Sequence, residues 1–173
     1  HEWRNDSALF ESAVRAAPRS VKARANLASL YLSAQTPESG RRALAVLEPV
    51  GNEARTFGPY LLAKARATAL LGDRSRARDL LRAGLAAAAD SSQTLVELGN
   101  LALADRNGLE ALHSFDAVSR LGRLREHAAI GRASALSVLG RYGEAADAWL
   151  PIVAALPDSV PLRAACAKNL TDA

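Results

Sequence analysis

The residues in this sequence best suited to chemistry are hydrogen-bonding side chains rather than nucleophiles. Asn26 and Asn100 carry amides, which donate and accept hydrogen bonds at the same time. An extended peptide backbone needs both kinds of bond. Lys22, Arg66 and Lys168 add positive charges that pair with acidic side chains or with a terminal carboxylate. This combination predicts recognition of an extended polypeptide.

The predicted binding residues are polar and lie on the first helix of each predicted helix pair. In a stacked array of helix pairs, the first helices line the concave surface. The predicted groove residues are Lys22, Asn26, Ser29, Arg66, Gln93, Glu97, Asn100, His127, Ser134 and Lys168. A merely solvated polar face is the alternative, and the sequence leaves both interpretations open.

Residues that could support catalysis or bind a metal form no pattern in the sequence. His1, His113 and His127 are too far apart for a metal-ligand spacing. Cys166 is the single cysteine, and its alanine-rich surroundings predict a small buried thiol rather than a nucleophile. No motif for a nucleophile, a phosphate loop or a zinc site occurs. We therefore predict no enzymatic activity, no catalytic residue, no metal and no cofactor.

Composition favours a helical protein. The chain has 173 residues, of which 49% are hydrophobic and only 5% are aromatic. Alanine, leucine and arginine lose little free energy on entering a helix, whereas β-branched residues are sparse and no stretch alternates apolar with polar residues. These features predict an all-α domain with a sizeable core.

The charge balance narrows the range of partners. A net charge of +4 and a pI of about 9.7 are compatible with nucleic acid or a membrane surface. The arginines are mixed with acids, however, as at Arg76, Arg78 and Asp79, which indicates a solvated charged face. We expect no nucleic-acid partner. Because no apolar run approaches about 18 residues, we also expect no direct membrane insertion by this segment.

A fixed period of 34 residues organises the chain. Alanines recur at this interval at Ala77, Ala111 and Ala145. A large apolar residue follows each of them by four positions, at Leu81, Phe115 and Trp149. A second set of small residues keeps the same step, at Ala65, Gly99 and Ala133. Such a period is typical of stacked structural units, in which small residues let helices approach closely and large ones fill the space between them.

Caps and breakers predict where the helices begin and end. Asn5 or Asp6 is expected to cap the first helix, and Ser20 the second. The predicted helices span residues 6–17, 21–33, 41–48, 59–72, 75–88, 94–104, 109–121, 125–139, 143–155 and 161–170. Residues 35–40 are predicted to form a loop, and residues 51–56 a polar connection. Pro151 predicts a bend or an early helix end near residues 149–150.

The helix pairs resemble the tetratricopeptide repeat. The resemblance rests on a small residue within the first helix, and on an alanine, a large residue and a closing proline in the second. The residues that carry it are Asn26, Leu27, Ala28 and Tyr31; Leu98, Gly99 and Asn100; Ala111 and Phe115; and Gly140 to Ala145 with Trp149 and Pro157. The resemblance implies an all-α, right-handed superhelical solenoid of helix-turn-helix repeats.

The period divides residues 1–173 as one repeat domain. We expect a half repeat over 1–19, full repeats over about 20–56, 57–91, 92–125 and 126–159, and a terminal helix over 160–173. Three extra residues of the first full repeat are placed in the 35–40 loop. The sequence departs from the family pattern at four positions: Lys64 and Arg132 replace apolar residues, and Ala89 and Arg123 replace the closing proline.

The opening of the chain resembles a narrower family. It is similar to the first repeat after the membrane region of transmembrane and tetratricopeptide-repeat O-mannosyltransferases. The residues concerned are Trp3, Arg4, Asn5, Asp6, Leu9, Phe10, Ser12, Ala13, Val14, Pro18, Ser20, Lys22, Ala23, Asn26, Leu27 and Ala28. The resemblance implies the extracytoplasmic domain of a membrane glycosyltransferase, whose catalytic residues lie outside this sequence. Because the sequence also lacks methionine, we expect a segment of a longer protein, and the compartment is left open.

Two functions compete at this point. The first is a non-enzymatic scaffold that binds an extended polypeptide in its concave groove. The second is an assembly module, in which the terminal helix, bare at residues 164–167, packs on another copy or on the rest of a larger protein. Binding of chaperone tails is excluded as the leading function because Ala25 and Ala63 stand where the carboxylate-clamping groups belong.

Overall fold

The fold is all-helical throughout the part of the chain that the structure describes. The computed structural model describes residues 2–48, 54, 56–87 and 91–173. Within these ranges there is no strand, and the helices are α1 (Glu2–Ala16), α2 (Val21–Leu32), α3 (Pro37–Leu47), α4 (Gly58–Leu70), α5 (Arg74–Ala87), α6 (Ser92–Ala104), α7 (Gly108–Arg120), α8 (Arg125–Val138), α9 (Tyr142–Ala155) and α10 (Val160–Asp172). The predicted all-α fold class is confirmed.

The helices form two compact units, residues 1–89 and 90–173, here called the first and second units. In the first unit α1 packs on α2, α2 on α3, and α4 on both α3 and α5. In the second unit α6 packs on α7, α7 on α8, α8 on α9, and α9 on α10. First helices of successive pairs also touch, α2 with α4 and α6 with α8. This is the nearest-neighbour stacking of a helical repeat. The predicted division of residues 1–173 into repeats stays a prediction.

The core of the second unit is built around the ring of Phe115. This side chain comes from α7 and is 1% exposed. A Cβ atom added at Gly99 of α6 would stand 2.6 Å from the ring, and one added at Gly131 of α8 would stand 2.3 Å from it. Only glycine leaves room for the ring between these two helices. The small-and-large pattern predicted from the period is confirmed at all six buried positions: Ala77, Ala111, Ala145, Leu81, Phe115 and Trp149.

The core of the first unit is anchored on the C-terminal end of α3. Leu47 is fully buried, and its carbonyl accepts a hydrogen bond of 3.3 Å from the Tyr60 hydroxyl of α4. The guanidinium of Arg24 on α2 donates to the carbonyl of Val46 at 2.7 Å and to that of Pro18 at 2.6 Å. Tyr60 and Arg24 thus bond backbone oxygens near the C-terminal ends of α1 and α3.

The start of α3 corrects the predicted loop at residues 35–40. The helix begins at Pro37, because Thr36 is its N-cap. The Thr36 hydroxyl accepts from the Ser39 backbone N–H at 3.1 Å, and the Ser39 hydroxyl accepts from the Thr36 N–H at 3.0 Å. This reciprocal capping box, with proline in the first turn, starts the helix four residues earlier than predicted. Gly40, also assigned to the loop, is instead buried against α4, near Ala67 and Leu70.

The predictions for the end of α9 and the start of α1 also need correction. Helix α9 runs through Pro151 to Ala155, so the early end predicted near residues 149–150 is wrong. The hydrogen-bond ladder resumes after the proline, since the Leu156 N–H donates to the Ile152 carbonyl at 3.0 Å. Helix α1 begins at Glu2, which places Asn5 and Asp6 inside the helix rather than at its cap.

Several predictions fall partly or wholly outside the described residues. His1 and Ala89 are among these, and so is most of the predicted polar connection over residues 51–56.

We predict that Gly131→Ala destabilises the protein by about 1–3 kcal/mol, because the new methyl group overlaps the Phe115 ring. Alanine is the better helix former, so any loss of stability reports the packing conflict. Urea unfolding followed by circular dichroism measures it. Gly143→Ala is the matched control, since nothing lies within 4 Å of a Cβ added there. Equal unfolding free energies for the two variants would contradict the proposed role of Phe115.

Candidate functional site

The predicted residues of the first unit lie on two helices that touch each other. Lys22, Asn26 and Ser29 are exposed on α2. Their spacings of four and three residues place them on one side of the helix. Arg66 is half-buried on α4, which packs against α2, and it already has an interaction within the protein. These four residues are called the α2–α4 face below.

The second unit repeats this arrangement on α6 and α8. Gln93 and Asn100 are exposed on α6, with Glu97 half-buried between them. His127 is exposed and Ser134 half-buried on α8, which packs against α6. These five residues are called the α6–α8 face.

Lys168 belongs to neither face as defined here. It is exposed on α10, a helix that packs on α9.

The asparagines are the side chains most available to a ligand. Asn26 and Asn100 are exposed, and neither amide makes a hydrogen bond to any described residue. Each therefore offers two donors and an acceptor to a partner. Ser134 differs, because its hydroxyl donates to the Ile130 carbonyl at 2.9 Å, and Glu97 also has a partner within the protein. The two faces thus combine free amides with side chains already held in place.

Within the described ranges, no group of three or more His, Cys, Asp or Glu residues could hold a metal ion. Cys166 is 5% exposed and belongs to the apolar cluster around Trp149. His113 is exposed on α7. Across the described residues, no helix combines the length and apolar character needed to cross a membrane.

The two charged residues that replace apolar ones in the repeat pattern have found partners. Lys64 lies with its Nζ atom 5.6 Å from the centre of the Tyr60 ring, which is a cation–π distance. Arg132 of α8 donates from Nε to Asp116 Oδ1 of α7 at 2.5 Å. The sequence predicted neither pairing. Asp116 and Arg132 are 16 positions apart and lie on different helices. Helical periodicity relates residues within one helix only, so the sequence could not identify Asp116 as the partner.

One exposed ion pair marks the start of α9. Arg141 donates from Nε and Nη2 to the two carboxylate oxygens of Glu144, at 2.7 and 2.6 Å. These hydrogen bonds lower the pKa of Glu144 below its usual value. Because both partners are engaged, this pair is not a candidate anion-binding group.

The fold resembles solved tetratricopeptide structures. A tetratricopeptide repeat protein from Parabacteroides merdae ATCC 43184 superposes with a TM-score of 0.74 at 18% identity, over 96% of this chain and 65% of that one. A mutant of MamA superposes with a TM-score of 0.66 at 22% identity, over 84% of this chain and 81% of that one. MamA AMB-1 superposes with a TM-score of 0.64 at 22% identity, over 82% of this chain and 80% of that one. No family model and no curated protein matches the chain.

These comparisons show the fold. The chain folds as helix-turn-helix repeats of the tetratricopeptide type, as the resemblance of its helix pairs implied. It spans 65% of the length of the Parabacteroides merdae protein. These three structures do not support the resemblance to O-mannosyltransferases.

We predict that Asn100→Ala changes the unfolding free energy by less than about 0.5 kcal/mol, because the side chain makes no bond inside the described structure. Asn107→Ala is the matched comparison. Asn107 caps α7 by accepting from the Glu110 N–H at 3.2 Å, so its loss should cost about 0.5–2 kcal/mol. Thermal and urea unfolding of both variants tests this difference. An Asn100 variant as destabilised as the Asn107 variant would assign Asn100 a structural role instead.

Proposed function

We propose that this chain is a non-enzymatic scaffold that binds extended polypeptides through the α2–α4 face and the α6–α8 face. One observation carries the proposal. Asn26 and Asn100 present unpaired, exposed amides on first helices that lie beside a second first helix. Tetratricopeptide folds present such helix surfaces to partners.

The chemistry of both faces suits a peptide main chain. Backbone N–H and C=O groups alternate along an extended segment, and amide side chains can bond to either. Lys22 and Arg66 on the first face favour acidic residues or a terminal carboxylate. Gln93 adds another exposed amide beside Asn100 on the second face. Polypeptide partners of net negative charge would also be attracted by the net charge of +4.

The narrower part of the proposal concerns the parent protein. We propose that the scaffold is the extracytoplasmic domain of a membrane glycosyltransferase, where it would present polypeptide substrates. The residues that support this are those of the opening segment, from Trp3 to Ala28. The sequence preceding His1 in the full gene tests it, since several apolar runs of about 20 residues are expected there. A full-length reading frame without such runs contradicts this part alone.

A second function is favoured by the surface of α10. Ala167 and Leu170 follow Ala133 and Leu136 by 34 residues, and the latter two are at most 4% exposed. Leu170, by contrast, is 56% exposed, and Ala167 is exposed as well. The small-and-large stripe that is buried in earlier repeats is thus open on this helix. We propose self-association through α10 as the alternative function.

For the scaffold function we predict that Asn100→Ala combined with His127→Ala weakens peptide binding about tenfold, through two lost contacts on the α6–α8 face. An array of short immobilised peptides identifies binders, and fluorescence anisotropy with labelled copies gives the affinities. Asn26→Ala tests the α2–α4 face in the same way. His113→Ala is the control, because it removes an exposed histidine from α7, a second helix. If the Asn100/His127 variant and the Asn26 variant both bind peptide at native affinity, neither face is the binding site.

For the alternative function we predict concentration-dependent dimers or larger species that Leu170→Asp abolishes, because the charge cannot be buried in an apolar contact. Sedimentation velocity over a range of concentrations measures this. Leu109→Asp is the matched control, since Leu109 is 70% exposed on α7. A protein that stays monomeric at every concentration argues against self-association.

A further inference from the structure

The pair of helices α8 and α9 is packed differently from the earlier pairs. In each repeat, one position on the first helix faces the second helix. The residues at this equivalent position in successive repeats are Arg24, Leu61, Leu95 and Ala129. The residues at the facing position on the second helix are Val46, Leu80, Ser114 and Ala148. Only in the last pair are both residues alanine.

The earlier pairs fill this seam with larger groups. Arg24 reaches across it to the Val46 carbonyl at 2.7 Å. Leu61 is 5% exposed and shares an apolar cluster with Leu80. Leu95 packs against the cluster that contains Phe115. Two methyl groups cannot occupy the volume of these side chains, so the α8–α9 pair must leave space.

The space is an open cleft of about 530 Å³ within the second unit. Its apolar lining consists of Ala129, Ala148, Pro151, Ile152, Ala155 and Leu156. Its volume falls within the range of roughly 300–1,000 Å³ that ligand sites occupy. Leu156 is 37% exposed, so the apolar floor extends to the protein surface, where a partner chain could cross it.

The charges around the cleft favour an acidic partner. Arg125 and Arg132 both line it, together with the single acid Glu126. Arg125 uses only Nε, for the Gly122 carbonyl at 3.3 Å, and Arg132 uses only Nε, for Asp116. The Nη groups of both have no partner among the described residues, and they can bind a carboxylate in a bidentate manner.

We propose that this α8–α9 cleft is a second binding site, which takes a large apolar side chain of a polypeptide whose neighbouring residues are acidic. The apolar side chain fills the space that Ala129 and Ala148 leave open, and the flanking carboxylates bind Arg125 and Arg132. The proposal rests on the scaffold function only in taking a polypeptide as the partner.

The cleft and the α6–α8 face are different surfaces of the same helix. At about 100° per residue, positions 125, 129 and 132 lie roughly opposite positions 127 and 134 on α8. A peptide in the cleft therefore leaves His127 and Ser134 accessible, and each site can be altered without the other.

Display of a random library of short peptides on the native protein tests the proposal. We expect enrichment of sequences with leucine, isoleucine or phenylalanine beside aspartate or glutamate. Ala129→Leu restores the residue present at Leu61 and Leu95, fills the cleft and should weaken these peptides at least about tenfold. Its thermal midpoint should equal or exceed the native one, because a filled cavity does not destabilise. Ala148→Leu fills the cleft from α9, and it replaces Ala129→Leu in the binding test if that variant misfolds.

The controls separate the cleft from the faces. Ala154→Leu adds the same side chain at an exposed site of α9 outside the cleft lining and should leave affinity within about twofold. Arg125→Glu should weaken binding, and more strongly at low salt. Peptides that survive the Asn100 and His127 substitutions but not Ala129→Leu support the cleft.

Three outcomes overturn the cleft proposal. One is that the selected peptides bind both cleft-filled variants at native affinity, and another is that the library yields no binder. The third is a loss of binding in the α6–α8 face variant alone, which supports the scaffold function while removing the cleft.

Discussion

The contact between the Phe115 ring and two glycine backbones governs the rest of the second unit. The ring reaches Gly99 on α6 and Gly131 on α8, so three helices are held at distances that any larger residue would increase. Because interiors are packed to crystal-like density, such a contact has little freedom to relax. It sets α6, which carries Asn100, beside α8, which carries His127. The proposed binding face is thus a consequence of core packing.

The sequence predicted this core well because packing follows a period. Ala111 and Ala145 are fully buried where the 34-residue step placed them, and Cys166 is the small buried thiol expected. Helix ends were predicted less well. The capping box at Thr36 was missed because its partner is Ser39, where glutamate or glutamine is the usual residue. Pro151 was expected to bend α9 or end it early. The helix does not end there, and Trp149 and Ile152 on either side of the proline are buried in the core.

The binding residues were only partly accessible to such reasoning. The period places Asn26 and Asn100 on first helices, but it does not show that their amides lack partners while Glu97 and Arg66 have them. The α8–α9 cleft was out of reach for a related reason. An alanine at position 129 does not by itself indicate a cleft, because the neighbouring Ala128 is also an alanine and is buried in the core. A void appears only when both facing residues are small, and side-chain direction decides that.

Stability and recognition are separated on α8 in a way that follows from helix geometry. Its buried side holds Ala128 and Gly131 against the Phe115 cluster, which leaves those positions no room to change. Ala133 and Leu136 pack in a second buried cluster with Trp149. The residues proposed for recognition on this helix, Arg125 and His127, are exposed instead. Arg132 illustrates the boundary between the two, since its pair with Asp116 is more than a third exposed on both partners. Such a pair contributes roughly 0–1 kcal/mol. A partner carboxylate could therefore share this guanidinium through its Nη atoms without a large cost to the fold.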